Sequence, residues 1–565
     1  MKTFLRVAGA ECRKAFCSKA FLLGTALLLL FSVLSAVYMI EVRASYNPGQ
    51  VLANQVDGQL AHNPDLPLFT FYNSWVGGDD LSLAAALFYT LLPVGAALPF
   101  GWSYCTERKS GYLKNIYTRV DRKIYLAAKT LAVFLSGAGA VAVSLGVNLL
   151  LVLAKVPLVT PFAGYNFYNH IYFGNLWADL YFTAPGLYVL LYAALDVFYG
   201  GVFALLSFAV GFYLPSVLAV VFVPFLLTLA AGYGENALYT AWAAAAPVEW
   251  VPSYFLHPQV PHYQVMGWAV ALVPPCCWPS SCSPSASGGC AMKASSLLRF
   301  DLTVGLWRRG MWAKYLIWAA FLTLASLECS VRLRALELGP GTWGDYLLCL
   351  FGGMEPPRGL FQAPFLWLLL HLGILFFTLP YLRDDLGGLG QQLLLRAGNR
   401  TAWWLSKCLW NAAAVVLFYL IAWAAVFLWA SLRGAAWTLA VSPALPGLLA
   451  AGLPQAAGSP WNMALELTLL PLLVTLSLSL TQMLLCLILR PALSYVVSIV
   501  VMIASAYCPS PLLLGNYAMA LRSSKVMENG VSLGAGLLLT AALMVLSAAL
   551  GAALFRKTDI LQKED

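Results

Sequence analysis

Hydrophobic positions along this chain neither alternate nor break into short amphipathic arcs; they run on. FLLGTALLLLFSVLSAVYMI (Phe21–Ile40) is one such run, without a single charge. A helix needs roughly 20 apolar residues to cross about 30 Å of hydrocarbon, whereas spanning strands alternate in and out. The pattern predicts spans near 20–40, 81–104, 126–153, 187–210, 215–232 and 264–275. A second set falls near 311–330, 363–381, 403–430, 464–489, 492–509 and 532–555. The sixth meets Pro274 and Pro275 and reads as a short or tilted helix. The expected fold is an all-α polytopic membrane protein with about twelve transmembrane helices. The first run reads as a retained span and not a cleaved signal, because it is long and its leader carries Glu11.

Composition agrees: 61% of the 565 residues are apolar and 10% are charged. The net charge of +9 does not point to nucleic acid, because the basic residues follow topology and form no single patch. With the amino terminus inside and the spans alternating, 25 of the 33 basic residues fall on the inner side and 8 on the outer. Both termini are then cytoplasmic, in a multi-pass protein of the cell membrane. Cys276, Cys277, Cys282 and Cys290 lie in PPCCWPSSCSPSASGGC, which reads as a linker and matches no zinc spacing. No metal is expected.

Charge concentrates in YCTERKSGYLKNIYTRVDRKIYLAAK (Tyr104–Lys129), which holds nine charged residues between the second and third spans. Burying it in a bilayer would cost on the order of 20 kcal/mol. Tyr112, Ile116, Val120 and Ile124 suggest one apolar stripe on a short surface helix. YLRDDLGGLGQQLLLRAGNRTAWWLSK (Tyr381–Lys407) echoes it between the eighth and ninth spans. Glu107 aligns with Asp384, Gly111 with Gly388 and Arg119 with Arg396. After one extra turn residue, Arg122 aligns with Arg400 and Lys129 with Lys407. Basic amphipathic approaches precede spans one and seven, and Pro215 and Pro491 punctuate the turns between spans four and five of each half. The chain therefore reads as two six-span repeats, 1–290 (with a Pro/Ser/Cys-rich linker over 274–290) and 291–565. Six is even, so the repeats are parallel and related by a pseudo-two-fold axis along the membrane normal.

The arrangement E-x-x-x-G-(x)7-R-x-x-R-(x)6-K after the second span of a six-span unit resembles permease subunits of type 2 ATP-binding-cassette transporters. That resemblance implies that the approach helix lies at the cytoplasmic surface and that the loop docks on an ATPase. Glu107, Gly111, Arg119, Arg122 and Lys129 would form one coupling element, and Asp384, Gly388, Arg396, Arg400 and Lys407 the other. The second departs by its Asp and its extra residue. The partners implied are cytoplasmic ATPase subunits with two nucleotide-binding domains, and membrane lipids. The sequence has no G-x-x-x-x-G-K-[ST] phosphate loop, so ATP and Mg would be held by the partner and no cofactor by this chain. The expectation is a non-enzymatic permease subunit of an exporter for an amphiphile, such as a lipid, drug or peptide. The resemblance also implies short re-entrant helices over 233–263 and 510–530.

Asp196 in the fourth span and His371 in the eighth are nearly the whole supply of intramembrane ionisable residues, Glu328 and Glu466 lying near the outer ends of their spans. Each reads either as a substrate or gating contact or as a hydrogen-bonded interior group. Two other classes remain open. An ion- or proton-coupled secondary transporter also commonly has twelve spans, but it usually carries more buried ionisable groups. An integral membrane transferase needs clustered acids or histidines at a membrane face, and the sequence shows no such cluster.

Overall fold

The computed structural model describes residues 2–45, 69–161, 171, 175–214, 216–241, 248–249, 251–258, 264–265, 311–356, 363–386, 400–449 and 463–557. Among these the chain is helical, apart from one two-residue parallel pair, β1 (Val248–Glu249) with β2 (Gln264–Val265). It forms two compact units. One gathers Met1–Glu235, Ala244–Pro284 and Arg358–Gln362; the other gathers Asn236–Ala243, Ser285–Pro357 and Ala363–Asp565.

In the first unit, α1 (Lys2–Phe16) turns at Cys17–Ser18 into α2 (Lys19–Ser45). A four-residue helix, α3 (Phe71–Ser74), precedes α4 (Leu83–Ala97). The short helices α5 (Ser103–Lys109) and α6 (Tyr112–Tyr117) lead to α7 (Arg122–Leu153). Then follow α8 (Ala178–Thr183), α9 (Pro185–Tyr213), α10 (Val217–Ala241, of which the residues up to Glu235 belong to this unit) and α11 (Pro252–Phe255). Helix α7 is the hub: α1, α2, α4 and α9 all pack on it. Its 32 residues reach about 48 Å, well beyond the hydrocarbon core, so its charged first turns stand in water. A side chain at Gly137 of α7 would meet Ala204 Cβ at 2.6 Å and Gly200 O at 2.7 Å, so only glycine lets α7 and α9 approach this closely. Helix α4 is apolar and buried nearly all round, which suits a central helix. The expected span 81–104 is thus a 15-residue helix, a turn over 98–102 and the start of α5.

The second unit holds α12 (Met311–Ala335), α13 (Trp343–Phe351), α14 (Phe365–Leu386) and α15 (Arg400–Leu432). Next come α16 (Ala444–Leu449), α17 (Ala464–Leu467), α18 (Leu469–Leu485) and α19 (Pro491–Tyr507). Two 3-10 turns, Leu514–Ala518 and Ala520–Arg522, precede α20 (Leu533–Lys557). Here α15 is the hub, contacted by α12, α13, α18 and α20. In each unit the first long helix packs on the third, the third on the fourth and the second on the fourth. Each also has a short helix before its second span with the same turn. Thr70 N–H donates to Asn73 Oδ1 in one, and Thr342 N–H to Asp345 Oδ2 in the other, both at 2.9 Å.

Eight helices among the described residues are long and apolar enough to cross a membrane, and Leu83–Ala97, Phe365–Leu379 and Pro491–Tyr507 are shorter apolar helices. Their outward faces carry large apolar side chains, such as Leu190 at 65% and Leu538 at 75% exposure, which need lipid against them. The protein is thus a multi-pass helical membrane protein. The expected sixth span and the cysteine-rich linker lie outside the described residues, except that Gln264 and Val265 form β2.

Candidate functional site

The charged loop of the first unit is built on α1. Ala8, Glu11 and Ala15 share one face and are all buried against α7. Small neighbours let the helix approach closely, so Glu11 is carried inside at 2% exposure. It meets Lys129 of α7, fully buried, at 2.8 Å. Lys129 also pairs with Glu107 of α5 at 2.6 Å, and its ammonium lies 4.3 Å from the Phe100 ring centre. Tyr125 donates to the other oxygen of Glu107. Lys14 closes the chain from outside, bonding Glu11 at 2.6 Å and the Tyr112 hydroxyl at 3.1 Å. Burial acts to lower the Lys14 ammonium, but Glu11 and Tyr112 outweigh it and raise it. Five side chains thus lock α1, α5 and α7 together.

This placement divides the expected coupling residues in two. Glu107 and Lys129 face each other inside, while Arg119 and Arg122 are exposed. Gly111 takes φ +74° and separates α5 from α6. The helix expected to carry the stripe from Tyr112 to Ile124 is broken instead by the turn over 118–121: Tyr112 is exposed, and Leu113 is the side chain buried in the core with Phe100, Tyr104, Tyr125 and Phe208. Ile116 and Val120 pack at its edge. Arg108 donates to Phe212 O at 2.7 Å and ties α5 to the end of α9. What remains in water is a basic row: Lys109, Lys114, Arg119, Arg122 and Lys123.

In the second unit, Gly388 and Arg396 lie outside the described residues, and so does the side chain of Asp384. Arg400 is exposed and donates to Arg556 O at 3.0 Å. Lys407 is 1% exposed, with its ammonium 4.9 Å from both the Tyr381 and Trp403 ring centres. Lys129 and Lys407 thus occupy like settings, each buried over aromatic rings, one of them four residues earlier in its own helix.

Asp196 is fully buried and accepts from the Tyr89 hydroxyl at 3.1 Å, while its Oδ1 has no hydrogen-bond partner among the described residues. Tyr89 stacks on His257 at 4.4 Å, and His257 Nε2 lies 3.0 Å from Asp79 O. The buried Asp79 carboxylate accepts from Ser35 and Ser82. Burial pushes Asp79 up to about 6 and His257 down to about 4. His371 is also fully buried: its Nδ1 lies 2.7 Å from Thr475 Oγ1 and 3.3 Å from the Tyr419 hydroxyl, and Nε2 has no partner among the described residues. The sequence reading took Glu11 only as a mark against a cleaved signal, and it missed Tyr89, Asp79 and His257. For Glu11 the available signal was an acid at helical spacing between two alanines.

Comparison with known proteins adds one finding. Residues 353–561 are similar to the family described as "Protein of unknown function (DUF2705)". The match runs from the end of α13 through α20. No curated protein and no solved structure matches the chain.

Proposed function

We propose that the chain is the membrane-spanning permease of an ATP-binding-cassette exporter, with twelve spans in two parallel repeats, moving an amphiphile by means of separate ATPase subunits. One observation carries the reading. The basic row from Lys109 to Lys123 stands on a loop that is locked to the approach helix by the Glu11–Lys129–Glu107 network. A preorganised surface loop transmits force to the spans it is bolted to, and it suits docking of a soluble partner. The like packing order within the two units and the matched settings of Lys129 and Lys407 support the duplication.

The test is affinity purification of the tagged chain in mild detergent, with mass spectrometry of co-purifying proteins. Arg119→Glu/Arg122→Glu is the informative variant, because both residues are exposed and lie outside the buried network. An ATPase held by the parent chain and lost from the variant, at unchanged thermal stability, supports the reading. No ATPase under any mild extraction sinks it, and the basic row is then only a topology signal.

A second reading, the cation- or proton-coupled secondary transporter, draws on Asp196, whose Oδ1 has no hydrogen-bond partner among the described residues. Proton-driven uptake by proteoliposomes, abolished in Asp196→Asn, would favour it.

A further inference from the structure

A cavity of about 220 Å³ opens where α12 and α15 end, lined by Ser330, Arg334, Gly339, Pro340, Tyr346 and Arg433. That is an order of magnitude more room than one water needs. Two guanidiniums line it and no acid does. Among the described residues neither Arg334 nor Arg433 has a carboxylate within ion-pair distance. Arg433 Nε is buried and without a hydrogen-bond partner among them.

The ordinary duty of an arginine at a helix end is to cover the last free carbonyls. Here backbone N–H groups already cover most of them at both ends. At the end of α12, Leu338 N–H donates to Leu333 O and Glu337 N–H to Arg334 O, both at 3.0 Å. At the end of α15, Ala435 N–H donates to Ala430 O and Gly434 N–H to Ser431 O, also at 3.0 Å. Both are the paired bonds of a glycine-type helix stop. Gly434 provides the left-handed residue in one, at φ +82°, but Glu337 provides it in the other, at φ +58°. A non-glycine residue there costs strain. The two exits are then joined: Ala436 N–H donates to Gly341 O at 3.0 Å and Trp343 N–H to Ala436 O at 3.3 Å. Among the described residues neither arginine side chain donates to the helix-end carbonyls. Tyr346 sits in their field: burial raises its hydroxyl to about 12, against the pull of Arg433 and Arg334.

The surroundings set the level of the cavity. Trp343 stacks on Phe427 at 4.5 Å and on Trp437 at 5.6 Å, and Trp437 is 79% exposed. Trp429 lies beneath the Arg433 guanidinium at 5.9 Å. Tryptophans at the ends of apolar spans mark the headgroup layer of a bilayer. Arginine forks match the oxygens of a phosphate.

We infer that this cavity is an anion site that takes a phosphate group, the phosphodiester of an anionic lipid being the source its level favours. The inference stands independently of the permease reading.

The full chain is purified in detergent, and retained lipid is counted by native mass spectrometry after exchange into phosphatidylglycerol-containing or phosphatidylcholine-only nanodiscs. Inorganic phosphate is titrated separately, with tryptophan fluorescence as readout. The expected result is phosphatidylglycerol retention that falls about tenfold in Arg334→Gln/Arg433→Gln and falls less in Arg334→Lys/Arg433→Lys, which keeps the charge without the fork. Phosphate binding at equal strength without lipid retention, lost in the glutamine variant, keeps the site and assigns it to a free anion. Equal retention and equal phosphate response in all three proteins overturns the inference. Should the double glutamine variant fail to fold, Arg334→Gln alone, at an exposed position, gives the same reading with a smaller fall.

Discussion

Replacing Lys129 by alanine tests whether the loop of the first unit is locked from within. Lys129 is fully buried and bridges Glu11 at 2.8 Å and Glu107 at 2.6 Å. Without the ammonium, Glu11, 2% exposed, keeps only Lys14 as a cation among the described residues, and Glu107 keeps only the Tyr125 hydroxyl. Each charge-assisted hydrogen bond contributes about 1.5–3 kcal/mol, so the two sum to about 3–6. Breaking a buried pair from one side costs about 3–5 kcal/mol by direct comparison. Taking about 4 kcal/mol, and about 2–4 °C per kcal/mol for a unit of this size, the unfolding midpoint drops by about 8–16 °C. The assay is thermal unfolding in detergent at pH 7, read by tryptophan fluorescence. Lys129→Met/Glu11→Gln/Glu107→Gln is the control, because neutral groups of similar size remove the stranded charge along with the pair, and it should recover most of the loss. A drop under about 3 °C for Lys129→Ala, or a triple variant less stable than the single one, would refute the argument.

Gly111→Ala should cost about 1–2 kcal/mol purely by conformation, since φ is +74° and an added Cβ would touch nothing; Gly111→Asn should cost less, and equal denaturation midpoints for both would contradict this. Asp79 and His257 should oppose each other with pH. The raised acid contributes stability below about pH 4 that is lost as pH rises to about 6, and the depressed histidine contributes stability above about 6.5 that is lost as pH falls to about 4. Stability of the parent should therefore be nearly flat from pH 4 to 6, rise with pH in Asp79→Asn and fall with pH in His257→Gln, each by about 3 kcal/mol; parallel curves for all three would exclude it. Arg522→Lys should destabilise by roughly 2–4 kcal/mol, because the fork donates to Met354 O, Ser505 O, Ala506 O, Glu355 O and Asn516 Oδ1 at once. An unfolding midpoint within 1 °C of the parent would show that lysine serves as well.

Some of the site was legible from residue type alone. The acid, glycine and basic residues of the loop stand out against a chain that is 10% charged, and the glycine does take the left-handed turn that its type permits. Their division into inner and outer members was not legible. Glu107 and Arg119 look alike as charges in a loop, yet one is paired with Lys129 and the other is exposed. Asp196 looked solitary because Tyr89, which donates to it, is 107 residues away and reads as one more aromatic in an apolar run. The two short helices before the second spans also escaped notice, because each is shorter than the window in which periodicity can be seen.

The sequence by itself determined the helical membrane class and the position of most long helices. It did so because apolar length and the cost of burying charge are properties of a local stretch of chain. Only the tertiary structure decided that Glu11 meets Lys129 across 118 residues, that His257 reaches Asp79 across 178, and that Arg334 and Arg433 line one cavity. Such meetings depend on which face each helix turns to its neighbour and how closely small residues let the backbones approach. Hydropathy in a span that is apolar all round carries almost no record of either.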